Sequence, residues 1–431
     1  MRNSSLTLVG KTISQISKAL NRGNGSTWPG HIALKGNPNF VRDLLSTSPM
    51  KTIIVAGTNG KTTTSSLIAT ALAKHGKSVL QNESGANLLN GVASTLLLNT
   101  NANGKLTQDF AIFEVDENAL PQVLKQITPD YLVLLNLFRD QLDRYGEINT
   151  ITTKWKESLS SLSGKTKLIV NGDDPQIAYL GITASEAQQS HPLYFGLKET
   201  KKKAETQQAA DSVSCPKCGS QLFFTETTFS HLGNWQCKKC GLKRPALTQI
   251  TFPEYPLTGD YNKYNTHAAA LVLQQTGMSE EQVIEAFRNF KPAFGRQEVI
   301  TYKNRNVQIF LSKNPTSFNQ SFATIKDLGA KTLLLVLNDR IPDGKDVSWI
   351  WDTDLAGIEK FNQIIVSGDR VYDMALRIKY ENYTNYKVHE KLDDAIAEGM
   401  QSLNEKETLY ILPTYSAMLE SRKILTGKKI L

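Results

Sequence analysis

Short apolar, β-branched runs alternate with helix-patterned segments along most of this chain. Strands are predicted at Thr52–Ala56, Ser78–Gln81, Phe110–Val115, Tyr131–Leu135 and Lys167–Val170, with helices such as Ser65–His75 and Leu120–Gln126 between them. Alternating βα units predict an α/β fold whose parallel sheet is covered on both faces. Ligands bind such sheets at the carboxyl ends of the strands, which is where this sequence places its polar residues. Ahead of the sheet, residues 1–50 predict an amphipathic helix (Leu8–Leu20), a Gly/Ser/Pro turn (Gly23–Gly30) and a second helix ending near Leu45. From Glu199 to Asp211 the chain turns polar and Lys/Gln-rich, the composition of a linker. A cysteine module follows, and the α/β pattern resumes at Leu257-Thr258-Gly259. Beyond Arg296 a second βα series appears at Val307–Leu311, Lys331–Leu337, Asn362–Val366 and Thr408–Leu412. The expected organisation is a helical segment (1–50), a central nucleotide-binding domain (51–296) carrying the cysteine module at about 206–249, and a C-terminal Rossmann-like α/β domain (297–431). No internal repeat is visible.

Composition narrows the class without choosing a function. A chain of 431 residues accommodates two or three cores. Its 40% hydrophobic and 21% charged residues are those of a soluble globular protein. The apolar run Tyr131–Phe138 is too short to span a bilayer. Met1–Arg22 lacks both a continuous apolar core and a small-residue cleavage site, so a cytoplasmic location is expected. The 49 basic and 41 acidic residues leave a net charge of +8, which permits nucleotides, anionic lipids or nucleic acid as partners. Much of the local excess, at Lys201–Lys203 and at Lys238, Lys239, Lys243 and Arg244, reads as solvated loop and ribbon surface.

Chemistry enters at Val55-Ala56-Gly57-Thr58-Asn59-Gly60-Lys61-Thr62-Thr63-Thr64, between a predicted strand and a predicted helix. That context aims backbone N–H groups and a helix N-terminus at phosphate. Gly57 and Gly60 let the backbone approach the anion, Lys61 can reach a terminal phosphate, and the Thr62 or Thr63 hydroxyl can sit on Mg²⁺. The full P-loop pattern wants a further glycine where Val55 stands, so the motif by itself is compatible with an ordinary glycine turn.

All four cysteines fall in one constellation, Cys215-Pro-Lys-Cys218 and Cys237-Lys-Lys-Cys240, with eighteen residues between the pairs. This is zinc-ribbon spacing. Each CxxC knuckle directs two thiolates at one tetrahedral ion, and two knuckles close the site, so Zn²⁺ here is expected to be structural. Gly219 and Gly241 suit the turn after each knuckle. Disulfides or redox thiols are the alternatives, and no targeting signal supports the first.

Taken together with the glycine loop, several stretches resemble the Mur ligase family, which includes folylpolyglutamate synthetase. Glu114 in Phe113-Glu-Val-Asp-Glu117 is similar to that family's Mg²⁺-binding glutamate. Asn136 and Asp140-Gln-Leu-Asp-Arg-Tyr-Gly146 resemble its next strand end and loop. Asn171-Gly-Asp-Asp174 and Gly259-Asp-Tyr-Asn262-Lys-Tyr-Asn265 resemble its adenine-side motifs. Gly295-Arg296 resembles the start of its last domain, whose arginine faces the γ-phosphate. The matches run in family order from 57 to 296. The resemblance implies a ligase that joins nitrogen to a carboxylate through an acyl phosphate made from ATP, with Mg²⁺ as cofactor. Read from the residues alone, Asn171, Asp173, Asp174 and Asn262 serve equally well as turn or helix-cap residues, whereas the apolar run Phe110–Phe113 argues against Glu114 being merely a solvent-exposed strand-end acid.

Departures from the family pattern narrow the resemblance. Gln141 stands where amino-acid-adding members carry a metal-binding histidine, and Lys154 and Lys156 are out of register for the lysine those enzymes carbamylate. Lys313-Asn314-Pro315 stands in place of His-Asn-Pro, and 50 residues are too few for a UDP-substrate domain. The cysteine insert and the stretch Asp343-Gly-Lys-Asp346-Val-Ser-Trp349-Ile-Trp-Asp352 are similar to an amidating branch of the family. That likeness implies amidation of the D-glutamate α-carboxylate of lipid II at the inner face of the plasma membrane, with ammonia from a GatD-like glutamine amidotransferase subunit. It also implies that Asp346 completes a triad with the partner's cysteine and histidine; from the residues alone Asp346 is a turn or N-cap aspartate. With all four cysteines in the zinc spacing, none is left as a glutaminase nucleophile. The competing expectations are an amino-acid-adding ligase of the Mur or folylpolyglutamate type and a basic zinc-ribbon protein that touches nucleic acid. Nucleic acid is not the expected partner.

Overall fold

The computed structural model describes residues 2–19, 27–82, 85–101, 103–139, 148–188, 191–198, 211–248, 250–404 and 406–428. The expected loop Asp140–Gly146, with Gln141, and the linker stretch 199–210, with Lys201–Lys203, lie outside them.

Six strands build the first sheet: β1 (Lys51–Ala56), β2 (Val79–Gln81), β3 (Phe110–Val115), β4 (Tyr131–Leu134), β5 (Lys167–Asn171) and β6 (Leu193–Phe195). They lie in the order β2-β3-β1-β4-β5-β6, all parallel. Strand β1 is buried from Thr52 onward. Ile53 and Val55 pack with Leu67, Ile112, Val133 and Leu271 on one face, while Ile54 and Ala56 pack with Leu97, Phe113 and Leu132 on the other. Apolar side chains on both pleats are what a two-sided parallel sheet requires.

The N-terminal helices Arg2–Ala19, Trp28–Gly36 and Phe40–Ser46 close one of these faces. The expected turn over Gly23–Gly30 becomes helix from Trp28, because Pro29 sits in the first turn, where its missing N–H is not needed. Gly30 seats this helix on Leu89–Leu98: its N–H donates to Ser94 Oγ at 2.7 Å, and a Cβ there would lie 2.0 Å from the Asn90 carbonyl.

After β6, a hairpin of β7 (Phe223–Phe229) and β8 (Leu232–Gln236) carries the cysteine module. It docks on the end of β5: Trp235 Nε1 donates to Gly172 O at 3.0 Å and the Gly233 N–H to Asp173 O at 3.1 Å. Arg244 donates to the buried Asp173 carboxylate at 2.9 Å.

The second sheet contains β9 (Arg296–Tyr302), β10 (Arg305–Phe310), β11 (Thr332–Val336), β12 (Gln363–Ser367), β13 (Tyr386–Val388) and β14 (Thr408–Pro413), ordered β13-β12-β11-β14-β10-β9. Only β9 is antiparallel to its neighbour. Hydrophobicity does not reveal this strand, since its side chains are mostly half-buried or exposed at the sheet edge. The left-handed Gln297 (φ 63°) is held by Thr258, whose carbonyl accepts from Gln297 Nε2 at 2.8 Å, and by Tyr261 Oη at 2.8 Å. These bonds set the two sheets facing one another.

Trp155, on the helix Ile148–Ser160, is fully buried against the first sheet and donates through Nε1 to Glu117 O at 2.7 Å. Trp155→Ala is expected to remove about 3–5 kcal/mol of stability, measured by urea denaturation. A loss below about 1 kcal/mol would contradict this packing.

Candidate active site

A cavity of about 480 Å³ lies between the sheets. Residues from the glycine loop, the β3 end, the helix Asp260–Gln275 and the start of the second sheet line it. The loop after β1 turns at Gly57 (φ 141°), whose added Cβ would meet the backbone of Asn136 at 2.9 Å. Asn136 fixes the loop from the side: Oδ1 accepts from Asn59 N at 2.9 Å and Nδ2 donates to Asn59 O at 3.1 Å. Gly60 (φ 93°) then starts the helix Lys61–Lys74, four residues ahead of the expected Ser65. Lys61, Thr62, Thr63 and Thr64 therefore form its first turn, and their otherwise unpaired N–H groups open an anion site. Sequence pattern leaves the threonines outside the helix because β-branched residues favour it weakly.

Most of the expected site residues converge here. Thr58, Asn59, Gly60, Lys61, Thr62, Thr63, Glu114, Asn262, Asn265 and Arg296 line the cavity, and Gly57 supports it from beneath. Thr62 Oγ1 donates to Glu114 Oε2 at 2.8 Å. A hydroxyl and a carboxylate in contact at a strand end form an oxygen set suited to Mg²⁺. Burial pushes the Glu114 carboxyl above the ordinary glutamate range, opposed by Arg296, the Thr62 hydroxyl and Lys61. The Arg296 guanidinium is in turn lowered by burial, with Glu114 pulling it back up. Lys61 Nζ folds onto the loop, donating to Gly57 O and to Thr58 O at 3.1 Å, and lies 3.5 Å from Glu117 Oε2. Asn265 faces Gly60 and receives from Thr64 Oγ1 at 3.5 Å, and its Nδ2 donates to Asn262 Oδ1 at 3.2 Å.

The other expected residues lie elsewhere. Asn171 and Asp174 are fully buried and do not line the cavity. Asn171 Oδ1 receives the Asp173 N–H, and Asp174 caps the helix Pro175–Gln188 by accepting from Gln176 N at 2.9 Å and Ile177 N at 3.1 Å. Here the turn and cap roles are the ones visible. Asp346 is exposed and outside the cavity; its Oδ1 accepts from Ser348 N at 2.8 Å, and hydrogen bonding to Ser348 holds its carboxyl below the usual range.

Several residues join the site that pattern alone did not assign to it. Asp116 lines the cavity and Glu117 lies buried beside Lys61. Burial and Glu117 raise the Asp116 carboxyl, whereas on Glu117 the cations of Lys61 and Lys313 outweigh burial and leave it lowered. Their signal was adjacency to Glu114 in the run Glu114-Val-Asp-Glu117. Lys313 lines the cavity from the second sheet, and Asn314 Nδ2 reaches Asn59 Oδ1 at 3.2 Å. Tyr415, at the start of the helix Tyr415–Thr426, and the loop residue Pro342 also stand on the wall, and neither has a local signal in the sequence.

The four cysteine sulfurs lie within 4.8 Å of one another, with Cys215–Cys240 at 3.6 Å and Cys218–Cys237 at 3.5 Å. Tetrahedral zinc with Zn–S bonds of ~2.3 Å would separate its sulfurs by ~3.8 Å, so the set fits that ion. Gly219 and Gly241 (φ 72° and 74°) return their N–H groups to Cys215 O and Cys237 O.

Residues 55–273 match the family described as the Mur ligase middle domain, and residues 311–418 match the MurT ligase C-terminal family. A Staphylococcus aureus protein named lipid II isoglutaminyl synthase (glutamine-hydrolyzing) subunit MurT is 30% identical over 95% of this chain and 94% of its own. Its Streptococcus pneumoniae namesake is 32% identical over 95% and 94%. The chain belongs to the MurT branch of the Mur ligase family. It is a Mur-type ligase. Among solved structures, a pseudomurein peptide ligase type C from Methanothermus fervidus shares the fold at a TM-score of 0.66 and 22% identity, over 90% of this chain and 81% of that one. The MurT C-terminal match includes Lys313, Asn314 and Asp346.

The raised Glu114 carboxyl gives the site a pH signature. A Mg²⁺ ion held by Glu114 would need the carboxylate, and Mg²⁺-dependent nucleotide affinity would then begin to fall with acidification while still above the ordinary glutamate range. Glu114→Gln should flatten that limb. Calorimetric ATP titrations with and without Mg²⁺ at a series of pH values measure it, and a profile unchanged by Glu114→Gln would contradict the assignment.

Proposed function

We propose that this chain is the ligase subunit of a lipid II isoglutaminyl synthase. It activates the D-glutamate α-carboxylate of the lipid II stem peptide with ATP, and ammonia from a separate GatD-like glutamine amidotransferase subunit completes the amide. The observation that carries this reading is the meeting of Lys61, the Thr62–Glu114 pair and Arg296 in one cavity between the sheets, in a chain related to MurT proteins over 95% of its length.

The chemistry follows from those groups. A carboxylate oxygen of the substrate attacks the γ-phosphorus, the bond to the β-phosphate oxygen breaks, and ADP leaves an acyl phosphate. Ammonia then attacks the acyl carbon, phosphate departs, and loss of a proton gives the amide. Lys61, the first helical N–H groups and Arg296 place positive charge around the transferring phosphoryl group, the main requirement of this step. Mg²⁺, held by Thr62 and Glu114, would neutralise phosphate oxygens when bound. Asn59 and Asn314 hold the sheets together across the cavity, which brings Lys313 and Arg296 to the reacting centre.

Asp346 is assigned to the glutaminase half of the reaction. Exposed, ionised and fixed by Ser348, it can orient a partner's histidine and stabilise its imidazolium form. Contact with lipid II is assigned to the cytoplasmic membrane face; among the described residues no helix is long and apolar enough to cross a membrane. Cys215, Cys218, Cys237 and Cys240 are assigned to one structural Zn²⁺ ion.

Three measurements test these assignments. Lys61→Ala is expected to abolish ATP turnover by the complex with both nitrogen sources. Asp346→Asn should lower glutamine-driven amidation by orders of magnitude yet leave the ammonia-driven reaction intact. Surviving glutamine-driven activity would reduce Asp346 to a turn residue, and loss of both reactions would move it to the ligase site or the fold. Metal analysis of natively purified protein should find one zinc per chain, lost with stability in Cys237→Ser; absence of zinc would refute the assignment.

A further inference from the structure

The hairpin that carries the cysteines reaches into the cavity. Phe229 and Leu232, the residues flanking its two-residue tip, are paired in register and both line the pocket. Phe229 keeps a small exposed edge (4%), whereas Leu232 is fully covered and backs it. Phe229 stacks on Phe138 at 6.1 Å and meets Tyr264 edge-on at 5.8 Å, and both partners also line the cavity. Behind them, Tyr264 Oη donates to Asp173 at 2.7 Å and lies 3.1 Å from Thr228 Oγ1, which can donate back to it. Phe138 is tied back to the glycine loop, its N–H donating to Thr58 Oγ1 at 3.1 Å.

The tip itself is strained. Ser230 is left-handed (φ 49°), and the adjoining His231 is buried against Phe138 with ring centroids 4.9 Å apart. A two-residue hairpin turn ordinarily recruits glycine or asparagine for left-handed backbone. Such strain persists only where its surroundings impose it, and here a tip packed under the β4 end imposes it.

Strand order gives the wall its meaning. The sheet runs β3-β1-β4-β5, with Glu114 at the end of β3, the glycine loop after β1, Phe138 beyond β4, and the hairpin docked on β5. At ~4.8 Å per interval, β3 and β5 stand about 14 Å apart. Charged groups occupy the β3 and β1 side, and Phe138, Phe229, Leu232 and Tyr264 make the β4 and β5 side aromatic and apolar. A nucleoside triphosphate has that same polarity, with anionic phosphates at one end and a flat, weakly polar base at the other.

We propose that Phe229, backed by Leu232 at the tip of the cysteine-module hairpin, forms the base-binding wall of the nucleotide pocket. The module thereby contributes directly to nucleotide binding in addition to folding its own cysteines. The inference rests on the reading that this cavity holds ATP. Phe229 is a binding residue for the base, Leu232 positions it, and neither takes part in phosphoryl transfer.

The test compares ATP with inorganic tripolyphosphate, which carries the phosphate end alone, on the purified full-length chain by calorimetry. Phe229→Ala is expected to weaken ATP binding by about tenfold or more and leave tripolyphosphate binding unchanged. In turnover, KM for ATP should rise while kcat at saturating ATP holds. Phe229→Leu, which keeps an apolar core residue, should show a smaller loss of the same kind and decides the matter if the alanine variant fails to fold. ATP affinity unchanged in folded Phe229→Leu and Leu232→Ala, or tripolyphosphate weakened as much as ATP, would overturn the proposal. If the unaltered chain binds neither ligand, it is the ATP reading of the cavity that fails.

Discussion

Buried charge of opposite sign, drawn from two different sheets, is the constraint on which this structure depends. Glu114, Asp116 and Glu117 cluster at the end of β3, each less than a tenth exposed. Lys61 from the first sheet answers only part of that charge. Arg296 and Lys313, which act electrostatically on these acids, arrive from the second. An unpaired buried charge costs several kcal/mol, so the acids at one sheet end favour the closed arrangement that brings the other sheet's cations to them. Asn59–Asn314 and Thr258–Gln297 bonds then fix the register of that approach. Bound Mg²⁺ and a triphosphate would redistribute the same charges, which is how occupancy of the cavity can bear on the fit between sheets.

Much of this was legible in the sequence, and what was legible follows a rule. Buried strands such as Phe110–Val115 are readable to the residue, because continuous burial on both faces leaves a continuous apolar run. Chemistry written in contiguous residues is also readable: the glycine loop, the Glu114 run and the cysteine knuckles each carry their meaning locally. Edge strand β9 escapes because an exposed pleat has no such run. Helix Lys61–Lys74 is entered late, since three threonines in a row argue against helix until the anion site at its N-terminus is considered. Tyr415, Pro342, Phe229 and Leu232 are invisible as site residues, because only long-range topology brings them to the cavity. Asn171 and Asp174, which motif resemblance places near the ligand, lie off the cavity wall and carry bonds that close a turn and cap a helix.

Integration of the cysteine module follows from the same logic. A small ribbon with few core residues needs a metal or a docking surface to hold its shape. Here it has both a closed thiol set and Trp235, Gly233 and Arg244 bonded across to Gly172 and Asp173. Asp173 is almost wholly buried and accepts from Arg244, Tyr264 and the Leu197 N–H together. Removing Arg244 would leave that carboxylate short of its cation, so the ribbon and the β5 end stabilise one another.

The loop that carries Asp346 is bound to the cavity wall by a comparable device. Asp343 is buried and accepts from Ser416 N at 2.8 Å and Ser416 Oγ at 2.5 Å. Ser416 lies in the first turn of the helix Tyr415–Thr426, where a carboxylate meets unpaired N–H groups and the positive end of the helix dipole. Tyr415 at that same helix start and Pro342 in the loop both line the cavity. From Pro342 to Asp346 the chain can extend at most about 14 Å. The exposed Asp346 and a wall of the cavity thus share one short, clamped segment, and neither can shift far without moving the other.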